Sequence, residues 1–239
     1  MTRTQSLPLS AFVRARLSSE GYLGLHLTIG ILVLIVATLI FGNIAEDVMT
    51  ADQITIVDVQ VSQWFYAHRT TPWTQLMLVI THFHSTVGIL VLGLLFAFHL
   101  IRKKAWDWLG VLVVVVPPGM LLNVALKHIF QRPRPSFDEP LLTLTSYSFP
   151  SGHVAGATVF YGVFLAYLIC IVRPWPWRAF LVCAAVALVA LVGLSRIYLG
   201  VHYLSDVLAA VASSCAWLAF TFTAITTWRK RHITQRLAK

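Results

Sequence analysis

The sequence predicts an all-α polytopic membrane protein, a bundle of six transmembrane helices with both termini in the cytoplasm. Three observations support this fold class. Of the 239 residues, 58% are hydrophobic and only 11% are charged, whereas soluble domains carry about 25% charged residues. Six apolar segments are close to the roughly 20 residues that a helix needs to cross a bilayer. Lysines and arginines are also unequally divided between the segments that join these spans.

The apolar segments follow one another along a single predicted domain, residues 1–239. They lie at about 23–41, 75–101, 105–126, 153–172, 180–194 and 203–228. Pro117 and Pro118 interrupt the third segment, which a membrane helix tolerates when neighbouring helices cover the freed carbonyls. Between the first two segments, apolar residues recur at helical spacing over about 54–66. This pattern predicts a further helix, which either lies on the membrane surface or caps the bundle.

The distribution of charge predicts the direction in which the chain crosses the membrane. With a cytoplasmic N-terminus, thirteen of the eighteen lysines and arginines fall in cytoplasmic segments, and seven of the nine acidic residues fall outside. An excess of cytoplasmic basic residues is typical of membrane proteins. The net charge of +9 does not indicate nucleic-acid binding, because the basic residues form short clusters beside apolar runs and not one patch.

Three segments at the outer ends of the spans carry residues that are unusual beside a membrane. Residues 127–135 follow the third span, residues 150–153 open the fourth, and residues 195–206 join the fifth to the sixth. All three lie on the same side of the predicted bundle. We therefore expect them to converge on one site.

The cations and the helix start in these segments predict a site for phosphate. Arginine offers a planar fork that pairs with phosphate oxygens. A glycine in the first turn lets the free amides of a helix N-terminus approach an anion closely. The sequence shows no carboxylate cluster that would hold magnesium, so we expect neither metal nor cofactor. The residues that we expect to bind phosphate are Lys127, Arg134, Ser151, Gly152 and Arg196.

Two histidines and an aspartate complete a predicted catalytic group. His202 and Asp206 are four residues apart, so on a helix they share one face. A carboxylate bonded to one imidazole nitrogen fixes the tautomer and leaves the other nitrogen free to attack. His153, from a different span, is placed to protonate the leaving oxygen and then to activate water.

These residues resemble the three signature motifs of the type 2 phosphatidic acid phosphatase superfamily. Lys127 to Pro135 fits K-x6-R-P, Pro150 to His153 fits P-S-G-H, and Ser195 to Asp206 fits S-R-x5-H-x3-D. Each motif alone is weak, but their order, spacing and common membrane face make the combination specific. Soluble vanadium haloperoxidases and acid phosphatases share the motifs, but six apolar spans argue against both.

The resemblance implies a metal-independent phosphatase with a phosphohistidine intermediate. It implies that His202 is the nucleophile, Asp206 its partner and His153 the general acid, and that the five residues named above bind phosphate. The implied substrates are membrane lipids such as phosphatidate, phosphatidylglycerol phosphate or undecaprenyl pyrophosphate. The expected location is a bacterial inner membrane, with the site facing the periplasm.

Other functions remain open on the sequence alone. A lipid phosphotransferase would use the same residues and pass the phosphoryl group to an acceptor other than water. A transporter or lipid-headgroup binder would need the cations but neither the nucleophile nor the acid. Among residues without a motif role, the sequence favours surface or headgroup contact for Arg69 and Arg132, and a packing or interfacial role over metal binding for His82 and His84.

Overall fold

The computed structural model describes residues 24–237, which fold entirely into α-helices and their connections. Part of the charge argument, including Arg3, Arg14, Arg16 and Lys239, lies outside the described residues. Eight helices occupy the described part of the chain. They are α1 (Leu25–Thr50), α2 (Gln53–Ala67), α3 (Thr71–Phe83), α4 (Thr86–Arg102), α5 (Trp106–Phe130), α6 (Gly152–Ile171), α7 (Trp175–Tyr198) and α8 (Leu204–Leu237).

Helix α6 lies at the centre of the bundle and contacts α4, α5, α7 and α8. Val154, Val159 and Val163 of α6 are almost fully buried. Small residues let neighbouring helices approach α6 closely, as is usual in membrane bundles. A methyl group added at Gly162 would lie 2.5 Å from the Leu218 side chain of α8. The bundle is therefore built around one helix, and the PSGH motif stands at the start of that helix.

The outer surface of the helices is apolar, as expected for contact with lipid. Five helices, α1 and α5 to α8, are long and apolar enough to cross a membrane. The pair α3 and α4 passes the same test together but is bent by 53°. An all-helical membrane protein is thus confirmed. Six spans with both termini in the cytoplasm remain a prediction.

The second span, expected over about 75–101, corresponds to the bent pair of helices α3 and α4. The segment forms two helices, and the break falls at His84 and Ser85. The Ser85 hydroxyl accepts the Gly88 amide at 3.2 Å and caps α4. Gly88 packs so tightly in the bend that an added Cβ would lie 2.0 Å from the Phe83 carbonyl oxygen.

Two further boundaries differ from the sequence-based prediction. The third span was expected to end at 126, but α5 continues through Pro117 and Pro118 to Phe130, so Lys127 lies on the helix. The Trp217 indole donates to the Val115 carbonyl at 2.9 Å, beside the carbonyls that the prolines leave without an amide partner. The fifth span was expected over 180–194, but α7 runs further at both ends. Its last turn carries Arg196.

Helix α2 covers the segment for which a surface helix or a cap was expected. It packs against α7 and α8, and its polar residues Asp58 and Ser62 are buried. Asp52 caps its start by accepting the Gln53 amide at 2.7 Å. These contacts favour the cap, since the buried side of α2 faces the bundle.

Candidate active site

The three motif segments meet at one end of the bundle. Lys127 lies in the last turn of α5, and the loop that follows carries Arg134. Ser151 is the N-cap of α6, Arg196 lies near the end of α7, and His202 precedes α8. Two helix ends and two helix starts therefore contribute to one site.

His202 is held in one tautomer by its two neighbours. Its Nδ1 lies 3.1 Å from Oδ2 of Asp206, and its Nε2 lies 3.2 Å from Nη1 of Arg134. A carboxylate accepts and a guanidinium only donates. The proton is therefore on Nδ1, and Nε2 presents a lone pair. His202 stands just before the helix, not on it, but its contact with Asp206 is the one that the i, i+4 spacing predicts.

Burial and nearby cations keep the His202 ring neutral. The residue is 1% exposed. Burial lowers its pKa well below the ordinary value, and the charges of Arg196, Arg134 and Lys127 lower the pKa further. A neutral imidazole is the form that can act as a nucleophile.

Two of the predicted phosphate-binding residues donate hydrogen bonds to the same loop, residues 146–148. Lys127 Nζ donates to the carbonyls of Tyr147 at 2.6 Å and Ser148 at 3.1 Å. Arg134 donates to the carbonyls of Ser146 at 2.7 Å and Tyr147 at 3.0 Å. Burial lowers the pKa of Arg134, which Asp206 partly offsets. Both cations are thus fixed beside His202, with the loop backbone as their anchor.

Two buried polar groups at the site have no hydrogen-bond partner among the described residues. They are Nε of Arg196 and the hydroxyl of Ser151. Arg196 is 2% exposed and Ser151 is fully buried. Bulk water therefore does not supply the missing hydrogen-bond partner of either group. The other side of the Arg196 guanidinium donates to the Thr81 hydroxyl. Native proteins rarely leave buried donors unpaired, and these two are available to a ligand.

The start of α6 adds backbone amides to the site. Ser151 itself donates its amide to the Asp206 carbonyl at 3.0 Å, which ties α6 to α8. No side chain caps α6, so its first-turn amides are open to an anion. A Cβ at Gly152 would lie 3.7 Å from Cε of Lys127. The glycine therefore sits beside one of the predicted phosphate ligands.

His153 is half-buried in the first turn of α6. It lies within electrostatic range of His202, Arg196 and Arg134. Its ring makes no hydrogen bond to another of the described residues, so it is available to a bound ligand. All eight predicted site residues therefore come together at this end of the bundle.

Arg132 was interpreted from the sequence as a surface or headgroup contact, and this interpretation is wrong. Its side chain is only 10% exposed and forms ion pairs with Asp58 at 2.8 Å and Asp206 at 2.7 Å. Burial alone would lower the pKa of Arg132, but these carboxylates raise it. A sequence signal did exist, because Asp58 interrupts the apolar stripe formed by residues such as Ile54, Val61 and Phe65.

Defined contacts are also made by His82 and His84, whose roles the sequence left open, and by Arg69, for which surface or headgroup contact was expected. Nε and Nη2 of Arg69 are buried, so Arg69 is not a simple surface contact. His84 packs and bonds within the bundle, with its Nε2 2.8 Å from the Tyr161 hydroxyl. The exposed His82 bonds the Leu78 carbonyl in its own helix. Arg69 stacks on the rings of Tyr66 and Phe137. Among the described residues, no three His, Cys, Asp or Glu side chains are grouped as metal ligands would be.

Comparison with known proteins identifies the family. The PAP2 superfamily, which comprises the type 2 phosphatidic acid phosphatases, matches residues 107–230. The chain belongs to the PAP2 superfamily. The matched region contains all three motifs, whereas α2 and the broken helix pair α3 and α4 precede it.

Relatives of this PAP2 protein agree in sequence and fold. Phosphatidylglycerophosphatase B of Bacillus subtilis is 37% identical over 143 residues, which cover 57% of this chain and 68% of that protein. The crystal structure of a transmembrane PAP2-type phosphatidylglycerolphosphate phosphatase from Bacillus subtilis superposes with a TM-score of 0.71 and 28% identity, and the match covers 79% of this chain and 94% of the other.

A solved structure of lower sequence identity shares the fold alone. Aquifex aeolicus LpxE matches with a TM-score of 0.55 and 20% identity, over 70% of this chain and 94% of its own. Family membership and these relatives show that the protein is a phosphatase, and its apolar helices show that it is an integral membrane protein.

Proposed function

We propose that this PAP2 enzyme hydrolyses a phosphate ester or anhydride of a membrane lipid through a phosphohistidine on His202. The observation that carries the proposal is the pairing of a neutral His202, with its lone pair on Nε2, with the unpartnered buried donors of Arg196 and Ser151. Phosphoryl transfer requires a nucleophile next to hydrogen-bond donors that are free to bind the phosphate oxygens. The transferring group carries its charge on oxygens that fixed donors must stabilise.

In the first step, Nε2 of His202 forms a bond to phosphorus while the bond to the leaving oxygen breaks. His153 gives its proton to that oxygen, and Asp206 stabilises the positive charge that develops on the His202 ring. Arg134, which donates to Nε2 at 3.2 Å before substrate arrives, transfers that hydrogen bond to a phosphate oxygen. The lone pair of Nε2 is then free to attack.

In the second step, water replaces His202 on phosphorus. His153, now neutral, removes a proton from the attacking water. The P–N bond breaks, inorganic phosphate leaves, and His202 returns to its neutral form. Lys127, Arg134, Ser151, the Gly152 amide and Arg196 hold the phosphate oxygens in both steps.

Phosphatidylglycerol phosphate is the first substrate to test, because two of the relatives carry its phosphatase activity in their names. Phosphatidate and undecaprenyl pyrophosphate are the alternatives. The charge distribution of the sequence supports a site outside the cytoplasm. In a bacterial inner membrane it would face the periplasm.

The test is phosphate release by purified protein in detergent with a chelator, from each of the three lipids. We expect release from at least one lipid and a stable phosphoenzyme in a rapid quench. His202→Ala should lose both signals, and Arg229→Ala, at an exposed ion pair with Asp107, should keep both. Phosphate release that survives His202→Ala contradicts the covalent mechanism. Transfer of label to a second lipid without phosphate release would instead identify a phosphotransferase.

A further inference from the structure

We propose that Arg132 and Asp58 are positioning residues that hold Asp206, and through it His202, in the attacking orientation. The proposal rests on the proposed function, since it assumes that His202 is the nucleophile. Arg132 occupies a variable position of the first motif, and Asp58 lies on α2, outside the region that matches the family.

Both oxygens of each of the two carboxylates accept hydrogen bonds from this group of residues. Oδ2 of Asp206 accepts from His202 and, at 2.9 Å, from the amide of Tyr203. Oδ1 of Asp206 accepts from Arg132 at 2.7 Å. The Asp206 carboxylate is therefore fixed from both sides, and its plane sets the direction of the His202 ring.

Arg132 connects this carboxylate to a second one. Its Nη1 also donates to the Ser205 hydroxyl at 2.7 Å, and its Nη2 donates to Oδ2 of Asp58 at 2.8 Å. The ring of Tyr203 stacks under the guanidinium at 4.3 Å. A planar fork with two donor edges can bridge two carboxylates, which the single ammonium of lysine cannot do in the same geometry.

Asp58 also fixes the start of α8. Its Oδ1 accepts the Ser205 amide at 2.8 Å, and its Oδ2 accepts the Ser205 hydroxyl. The Ser205 amide is one of the first-turn donors that a helix leaves unsatisfied. Helix α2 thus supplies an N-terminal cap to α8 from a distant part of the chain. The residues capped in this way stand between His202 and Asp206.

The carboxylates of Asp58 and Asp206 are buried, so their ion pairs with Arg132 matter for the site. Asp58 is 1% exposed and Asp206 is not exposed at all. Removing one partner of a buried ion pair leaves an uncompensated charge. Without Arg132, Asp206 would face His202 and the more distant Lys127 with no direct cationic partner, and the ring would lose its fixed orientation. Substitution of Arg132 or Asp58 should therefore slow the chemical step more than it weakens substrate binding.

The test compares Asp58→Asn and Arg132→Gln with two controls in the phosphate-release assay. We expect kcat to fall about tenfold in Asp58→Asn and about a hundredfold in Arg132→Gln, while KM changes less than about threefold, as for residues that act only in the transition state. The acid limb of the kcat profile should move to higher pH in Arg132→Gln, because the variant lacks the cation beside the pair of Asp206 and His202. Asp52→Asn, the same substitution at the N-cap of α2, should leave kcat and the pH profile unchanged.

The controls separate the possible failures. His202→Ala is assayed alongside, and retained activity there overturns the proposed function whatever the other variants do. If His202→Ala is inactive while folded Asp58→Asn and Arg132→Gln keep kcat within twofold of the parent, the positioning proposal is wrong. Should Arg132→Gln lose its monodisperse elution in detergent, the near-isosteric Asp58→Asn decides the question alone. A lower melting temperature with unchanged kcat and pH profile would show a structural role only and would also overturn the proposal.

Discussion

The motif end of the bundle and its membrane-embedded middle treat polar groups in opposite ways. In the middle, hydroxyls bond carbonyls of their own helix, as Ser213 does to Ala209 at 2.8 Å and Thr221 does to Trp217 at 2.8 Å. At the motif end, buried charges bridge separate helices, and buried donors such as Nε of Arg196 and the Ser151 hydroxyl have no partner among the described residues. Ionisable groups are costly near a bilayer. Their concentration at one end therefore marks the part of the fold that serves function at the expense of stability.

The largest contrast is expected between two arginines, one buried at the motif end and one in an exposed ion pair. Arg196→Ala removes a buried guanidinium with an unpartnered donor, so kcat/KM should fall by about 10² to 10³, as for other donors that stabilise transition-state charge. Arg229→Ala removes an exposed ion pair of a kind that contributes little, so kcat/KM should stay within about twofold. Kinetics of the two variants on one lipid substrate provide the measurement. Similar losses in both would contradict the assignment of Arg196 to the site.

A second contrast concerns two glycines of α4. Gly88 lies in the bend beneath His84, where an added Cβ would lie 2.0 Å from a backbone carbonyl, whereas Gly93 has open space around it. Gly88→Ala should lower the free energy of unfolding by about 1 to 3 kcal/mol, the usual cost of overpacking. Gly93→Ala should leave it unchanged or slightly raised, because alanine is the better helix former. Thermal unfolding in detergent decides between them, and equal stability of the two variants would show that the bend is not tightly packed.

A third prediction uses the low pKa of His202. The folded protein keeps this ring neutral, while the unfolded chain protonates it near pH 6.5. Below that value the unfolded state binds more protons, so stability should fall by up to about 1.4 kcal/mol per pH unit through this group alone. His202→Gln should lose this part of the pH dependence between pH 7.5 and 5. Melting temperatures across that range provide the measurement, and an equal slope in both proteins would contradict a neutral, buried His202.

The sequence predicted the membrane class, most helix positions and the whole motif group, because apolar length and motif spacing are local signals. The break at His84 was missed, since it lies in the extended backbone of Ser85 and the close approach of Gly88 to Phe83, which hydropathy does not register. Arg132 was misinterpreted for a similar reason. Its partner Asp58 is 74 residues away along the chain, and pairing over such a distance is fixed only when α2 folds back over α7 and α8. The motif residues were easier to predict than the residues that hold them in place.

The smallest expected effect compares two serines. Ser151→Ala removes a buried hydroxyl that has no partner among the described residues, and Ser213→Ala removes one that bonds its own helix. If Ser151 donates to a phosphate oxygen, its loss should lower kcat/KM by about three- to tenfold, the value of one hydrogen bond of roughly 0.5 to 1.5 kcal/mol. The folded protein should not be destabilised, because an unpaired hydroxyl contributes nothing before the ligand binds. Ser213→Ala should leave kcat/KM unchanged. A Ser151→Ala enzyme with normal kinetics and higher stability would mean that the hydroxyl is an unsatisfied buried polar group and does not bind phosphate.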